Sequence, residues 1–309
     1  MIKNNLVILA PVYEDLKSVS KLLGKINSLS LNPFILLVDD GSITDNISSR
    51  ILAENNLSGS VIKLRRNVGH QLAIAIGLEY LSEKIEKNTK VIVMDSDGED
   101  SPESIPQLLD FGQNADIVVA KRGSRHETKL FKFLYIIYRF IFRIFSGRKI
   151  NFGNFVLLSH SAVTKLVNMK ELRLHFAGSI LLSRIPFEEA LIDRGKRYFG
   201  KSKLNLTSLI LHGFRALMVF SEDVLVRVGV LCIIIATMSI MGGISAVLLK
   251  FIGYATPGWF SIAVGILSLV FIQTATLTLT ILMLTGVMKN TLNNNGSSLE
   301  MIKEVNSMK

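Results

Sequence analysis

A chain of 309 residues with one cysteine, one tryptophan and six prolines excludes several kinds of protein at the outset. The lone Cys232 permits no disulfide framework within the chain, and nothing in its surroundings assigns it a role. Acidic residues are also in short supply, 25 against 35 Lys and Arg, for a net charge of +10. That balance points to an anionic partner such as a membrane surface or a phosphate group. Nucleic acid is not the expected partner, because no aromatic-plus-basic platform or groove-reading helix stands out. The opening MIKNNLVILAPVYED has only a short apolar stretch before Pro11 and acids, so no secretory leader is read there, and the N-terminal part is expected to stay in the cytosol. Internal repeats and low-complexity segments are absent, and only the tail from Asn290 reads as loosely ordered.

Hydrophobic residues, by contrast, are plentiful: 49% of the chain, with a mean hydropathy of +0.40. They are unevenly spread. Val228 to Leu249 gives 22 residues without a charge, which at about 1.5 Å per residue cover the roughly 30 Å hydrocarbon core of a bilayer. A second uncharged run extends from Phe251 to Met288, its continuous apolar part starting near Trp259. Two membrane helices, 224–250 and 258–288, are therefore expected, entered by a juxtamembrane helix over 204–223 and followed by a cytoplasmic tail over 289–309; a buried soluble hairpin is the alternative. An even number of crossings leaves most Lys and Arg on the cytosolic side. Lys129 to Lys149 is apolar but interrupted by Lys132, Arg139 and Arg143, which suits a helix in the membrane interface or one in the core of the N-terminal domain, 1–203.

Within that domain, strands are expected at Leu6–Ala10, Ile35–Val38, Val61–Leu64, Val91–Met94 and Ile117–Val119. Helices are expected up to about Leu29, with Val19, Leu22, Leu23 and Ile26 on one face, and from Gln71 to Ser82. The alternation describes an open, mostly parallel α/β sheet with ligands at the C-terminal edge of its strands. Three polar clusters fall at that edge: Pro11 to Asp15, Asp39 to Asp45, and Asp95 to Asp100. The third places Asp95, Asp97, Glu99 and Asp100 within six positions. Like charges so close call for a cation, and hard oxygen ligands suit Mg²⁺ or Mn²⁺ carrying a phosphate. An acidic turn before a helix starting at Ser101-Pro102-Glu103 is the plainer reading of the same residues.

Pro11-Val-Tyr13, Asp39-Asp40-Gly41-Ser42 with Asp45, Arg66-Asn67-Val-Gly69-His70, and Asp95-Ser96-Asp97 with Asp100 and Glu103 resemble the GT-A domain of glycosyltransferase family 2. With two C-terminal membrane helices, the chain resembles the membrane-anchored polyprenyl-phosphate glycosyltransferases, the group of dolichol-phosphate mannose synthase. The resemblance implies that Pro11, Tyr13, Glu14, Asp15, Asp39, Asp40, Arg66, Asp95 and Ser96 line a UDP- or GDP-sugar site. It implies that Asp95, Asp97 and Glu99 hold Mg²⁺ or Mn²⁺, with Asp97, Arg122 and Arg125 serving catalysis. Arg122 and Arg125, with Arg194, Arg197, Ser202 and Lys203 of RGKRYFGKSK, would grip phosphates of donor and acceptor; attraction to anionic lipid headgroups is the alternative for these basic segments. The sequence departs from the pattern in two places. Glu14-Asp15 stands for the usual Asn-Glu, and Gly153-Asn154-Phe155-Val156 for Gly-Asp-Phe-Arg.

The implied activity is inverting, metal-dependent transfer of a sugar to a polyprenyl phosphate at the cytoplasmic face. A lipid phosphate is already anionic and needs no strong base, whereas a sugar hydroxyl does. Between Phe155 and Ile185 the only acid is Glu171, which favours the phosphate; Glu188 and Glu189 keep open transfer to a hydroxyl of a lipid-linked saccharide in surface-polymer assembly. His175 beside Phe176 suits packing or capping better than catalysis. A catalytically inactive nucleotide-binding scaffold is the third reading, and a homo-oligomer is left open.

Overall fold

Apolar runs too short for helices and bounded by turn residues become the centre of a sheet in the computed structural model. It describes residues 2, 4–45, 47–122, 129–200, 206–254, 258–294 and 297–307. In order the elements are β1 (Leu6–Val12), α1 (Leu16–Ser28), β2 (Phe34–Asp39), α2 (Arg50–Glu54), β3 (Gly59–Leu64), α3 (His70–Ser82), β4 (Lys90–Val93), α4 (Ile105–Phe111) and β5 (Ile117–Arg122). Then come α5 (Lys129–Ser146), β6 (Phe152–Ser159), α6 (His160–Val167), α7 (Phe176–Ser183), β7 (Phe187–Ile192), α8 (Leu206–Val219), α9 (Ser221–Phe251), α10 (Trp259–Asn294) and β8 (Ile302–Ser307).

The sheet runs β7-β5-β6-β4-β1-β2-β3-β8. All strands point the same way except β6 and β8, which are antiparallel to their neighbours. Every residue of β1 is buried, as a strand covered on both faces requires. Its side chains alternate: Val7 and Leu9 join the core on the α3, α6 and α7 side, while Leu6, Ile8, Ala10 and Val12 join the core beside α1, α2 and α4. Helix α1 buries Val19, Leu22, Leu23 and Ile26, the face read from its spacing. Helix α3 lies close on the sheet because Gly77 has no Cβ; one there would sit 2.4 Å from Leu9 Cδ1.

The chain divides into two compact units. The first comprises Met1–Phe140, Arg148–Val219 and Asn295–Lys309, and the second Ile141–Gly147 and Phe220–Asn294. In the second unit Ser221–Phe251 and Trp259–Leu284 are long and apolar enough to cross a membrane. They expose Ile233, Met238, Ile240, Ile244, Ile262, Ile266, Ile272 and Met283, which a buried soluble hairpin would cover. The two helices pack on each other, and a Cβ on Gly242 would sit 3.3 Å from Leu267 Cδ1.

The tail differs from its expected looseness. Beyond α10, a 3₁₀ turn at Ser298–Met301 leads into β8, which pairs with β3. Glu79 accepts hydrogen bonds from Ser297 Oγ (2.7 Å) and Ser298 Oγ, and Lys63 lies 3.4 Å from Glu304. Its sequence, IKEVNS, is too polar to announce a strand. A bare β3 edge supplies the backbone partners that make it one.

Candidate active site

Strands β4, β1 and β2 are neighbours, so the segments leaving their C-terminal ends share one edge. The loop after β4 folds back on itself: Asp95 N donates to Asp100 Oδ2 (2.9 Å) and Glu99 N to Asp97 Oδ1 (2.9 Å). Gly98, at φ +91°, permits that reversal. Asp100 and Ser96 are buried, so Asp100 braces the loop while Asp95 and Asp97 remain half-buried. Burial, then the charge of Asp95, pushes the Asp97 carboxyl up to about 6, against the pull of Arg197 and Arg194. The expected helix start is present as well, a 3₁₀ turn at Pro102–Ser104 leading into α4.

The basic segment after β7 docks onto this loop. Gly195 N donates to Glu99 O (2.9 Å) and Tyr198 N to Asp97 O (2.8 Å). A Cβ on Gly195 would lie 2.4 Å from Gly98 O, and one on Gly98 2.7 Å from the Tyr198 ring. Arg197 Nη2 is 2.6 Å from Asp97 Oδ2 and its Nε 3.6 Å from Glu99 Oε1, while Arg194 pairs with Glu99. Tyr198 in turn lies under two cations of α1, Lys21 at 5.0 Å and Lys25 at 5.2 Å from the ring centroid. Lys25 also pairs with Glu103 at 2.6 Å. Sequence reading missed this role of Tyr198; two α1 lysines give no signal of it.

On the β1–β2 side the carboxylates chiefly organise loops. Glu14, at φ +47°, accepts from the Thr44 hydroxyl and from the backbone N–H groups of Ile43, Thr44 and Asp45, which hold its carboxyl down at about 2. Asp15 caps α1 through Ser18 N (3.3 Å), and Asp45 accepts from Leu16 N (2.8 Å). Asp40 is 3% exposed and accepts from Val68 N (2.7 Å) and Gly69 N (2.9 Å). Asp39, 2% exposed, accepts from Ser42 N at 3.0 Å. Burial pushes both carboxyls up. Gly41 lets Arg66 and Asn67 approach; its Cβ would lie 2.6 Å from Arg66 C. Pro11 is buried beside Val38, whereas Tyr13 and Arg66 are exposed.

Two of the residues weighed as bases, His175 and Glu189, are engaged, whereas Glu188 is exposed. His175 Nδ1 accepts from Gly178 N (3.0 Å), the capping role expected of it. Glu189 is held by Lys121 (2.6 Å) and Asn151 (3.0 Å), which keep its carboxyl below the ordinary range. Asn154, noted as a departure, donates to Asp95 Oδ1 at 3.2 Å. Arg122 ends β5, with its side chain outside the described set; Arg125, Ser202 and Lys203 lie outside the described residues.

Among the described residues no three carboxylate, histidine or cysteine side chains converge on a point that would hold an ion unaided. Glu99, expected as a third ligand, is paired with Arg194 and Arg197. Asp95 and Asp97 nevertheless fit an ion of the Mg²⁺ class, which is held by one or two carboxylates and completed by substrate phosphates and water. Burial and then the charge of Asp95 raise the Asp97 carboxyl, and a cation beside it would favour the charged form.

Comparison with known proteins bears on the family and the fold. The chain is 28% identical over 237 residues to the uncharacterized glycosyltransferase YkoT of Bacillus subtilis (strain 168), covering 75% of this chain and 69% of that one. It is 27% identical over 214 residues to the undecaprenyl-phosphate 4-deoxy-4-formamido-L-arabinose transferase of Erwinia tasmaniensis, 66% of this chain and 64% of that one. Its fold matches glucosyl-3-phosphoglycerate synthase from Mycobacterium tuberculosis with a TM-score of 0.51 and 14% identity, covering 72% of this chain and 80% of that one. The profile of Glycosyl transferase family 2 matches residues 7–171. With an open, mostly parallel sheet carrying its acidic loops at one edge, the chain is a glycosyltransferase belonging to family 2.

Proposed function

We propose that this glycosyltransferase moves one sugar, with inversion, from a UDP- or GDP-sugar to a polyprenyl phosphate at the cytoplasmic face of a membrane crossed by α9 and α10. The observation that carries the reading is the interleaving of Asp97 and Glu99 with Arg194 and Arg197 at the end of β4. Carboxylates and guanidinium groups that neutralise one another in the free protein are the two components a metal–diphosphate needs. The Mn²⁺ and UDP-glucose present in the M. tuberculosis synthase structure support a divalent ion and a nucleotide-sugar here. The name of the Erwinia relative supports an undecaprenyl phosphate acceptor.

Bound beside Asp95 and Asp97, Mg²⁺ or Mn²⁺ would supply positive charge against the departing diphosphate. Arg197 and Arg194 exchange their carboxylate partners for phosphate oxygens, so the segment that carries them closes on the donor. The lipid phosphate attacks the anomeric carbon from the face opposite the leaving group and keeps no proton to lose. Consistent with that, His175 spends Nδ1 on a helix cap, Glu189 is tied to Lys121, and Asn154 is a donor toward Asp95.

The test is transfer by the purified protein in detergent with Mn²⁺, radiolabelled UDP- and GDP-sugars, and undecaprenyl phosphate as sole acceptor. Label in a mild-acid-labile lipid monophosphate sugar is expected, and Asp97→Ala abolishes it while the protein stays folded. Label that reaches lipid only when a lipid-linked saccharide is added would replace the phosphate acceptor by a hydroxyl. No transfer under either condition favours the inactive scaffold.

A further inference from the structure

Behind the acidic loop, two neutral amides form a chain that ends on Asp95. Strand register sets the first: Val93 faces Val156 across β4 and β6, so two residues further Asp95 faces Asn154. Asn154 Nδ2 donates to Asp95 Oδ1 (3.2 Å), Asn154 Oδ1 accepts from Gln71 Nε2 (3.1 Å), and Gln71 Oε1 accepts from Phe176 N (2.6 Å). Gln71 is 2% exposed and Phe176 fully buried. The direction of the chain is fixed at its far end. Phe176 opens α7, where a backbone N–H has no partner within the helix and, when buried, must find an acceptor. Gln71 therefore turns its carbonyl to Phe176 and its NH₂ to Asn154, and Asn154 can only turn its own NH₂ to Asp95. The resemblance expects an aspartate at position 154, which could not donate.

We propose that Gln71 and Asn154 are positioning residues: a one-way amide relay from the start of α7 holds Asp95 in the orientation that takes up the metal ion of a metal–nucleotide. This rests on the reading that Asp95 meets a cation. Partners behind a metal ligand fix its orientation, and their loss typically costs about 10–100-fold in metal affinity.

Gln71→Glu is the sharpest perturbation. It keeps size and keeps an acceptor for Phe176, but in its ionised form it cannot donate to Asn154. The Asn154 amide then turns over, presenting NH₂ to the new carboxylate and its carbonyl to Asp95, which loses its donor. Uptake of Mn²⁺ by the full-length protein in detergent, with UDP or with GDP present, is read from the electron paramagnetic resonance of free Mn²⁺. Gln71→Glu and Asn154→Ala are each expected to weaken uptake about 10-fold or more, and the double variant no further than the weaker single, because both act through one bond. The KM for the nucleotide-sugar rises with them, and the melting temperature of Gln71→Glu falls because the new carboxylate is buried. Should Gln71→Glu not fold, Asn154→Ala alone carries the test. Wild-type uptake matched by the variants, additive losses in the double variant, or equal or tighter uptake by Asn154→Asp would overturn the relay alone. No uptake by the wild type with either nucleotide would remove the metal reading, and the relay's purpose with it.

Discussion

Replacing Gly98 by alanine should release the basic segment from the acidic loop without unfolding the domain. The added methyl lies 2.7 Å from three ring carbons of Tyr198, about 1 Å inside the 3.5–4.0 Å optimum for carbon atoms. A non-glycine residue at φ +91° adds strain of about 1–3 kcal/mol. Against this, docking is held by the Gly195 and Tyr198 backbone hydrogen bonds, about 1 kcal/mol each, and by partly exposed ion pairs of Arg194 and Arg197, which add little more. Lifting the segment off relieves the clash, about 1–3 kcal/mol, which is close to everything that docking gains, while the strain stays in the loop. Trypsin reads the change, since Arg194, Lys196 and Arg197 are cleavage sites in the segment. When opening is fast relative to cleavage, the rate follows the open population, so 2 kcal/mol corresponds to about 30-fold faster cutting. The KM for nucleotide-sugar should rise as well. Tyr198→Ala added to Gly98→Ala removes the clash but leaves the strain, and its cutting rate should be no faster than that of Tyr198→Ala. Wild-type protection in Gly98→Ala with unchanged kcat/KM would refute the argument.

Three further outcomes can be checked. Asp40→Ala leaves the Val68 and Gly69 N–H groups without their acceptor, at a cost of about 2–4 kcal/mol; the melting temperature should fall by about 5–10 °C, and Asp40→Asn, which keeps one acceptor oxygen, by about half as much. Glu103 is held down at about 2, first by Lys25 and then by Ser101, so its contribution is present above the ordinary carboxylate range and fades as pH falls toward 2. The pair is largely exposed, so Glu103→Gln should destabilise by less than about 1 kcal/mol at pH 6 and by less still at pH 2 in thermal melts. A chain ending at Gly296 leaves the β3 edge bare, and calorimetry and size-exclusion chromatography should record lower stability together with concentration-dependent association.

The layout of the domain was legible because local chemistry carries it. The unbroken apolar run of Leu6 to Ala10, the apolar spacing of Val19, Leu22, Leu23 and Ile26, and the small residues of α3 each specify their element without reference to the rest of the chain. Strand β6 was harder to read, since FGNFVLLS mixes polar and apolar residues and takes its direction from β4 and β5. Strand β8 was illegible for a different reason: IKEVNS becomes a strand only against the β3 edge, across a separation of more than 200 residues.

Carboxylate roles divide in the same way. Sequence alone set Asp39, Asp40, Asp95 and Asp97 at the C-terminal ends of two strands, because strand length and turn residues are local properties. Tertiary structure decided what each one meets. It spent Glu14 and Asp40 on loop N–H groups, laid Arg194 and Arg197 over Asp97 and Glu99, and set Asn154 behind Asp95. A carboxylate accepts from whichever donor arrives, and the donors here come from segments 28 to about 100 residues away, brought in by sheet register and helix packing.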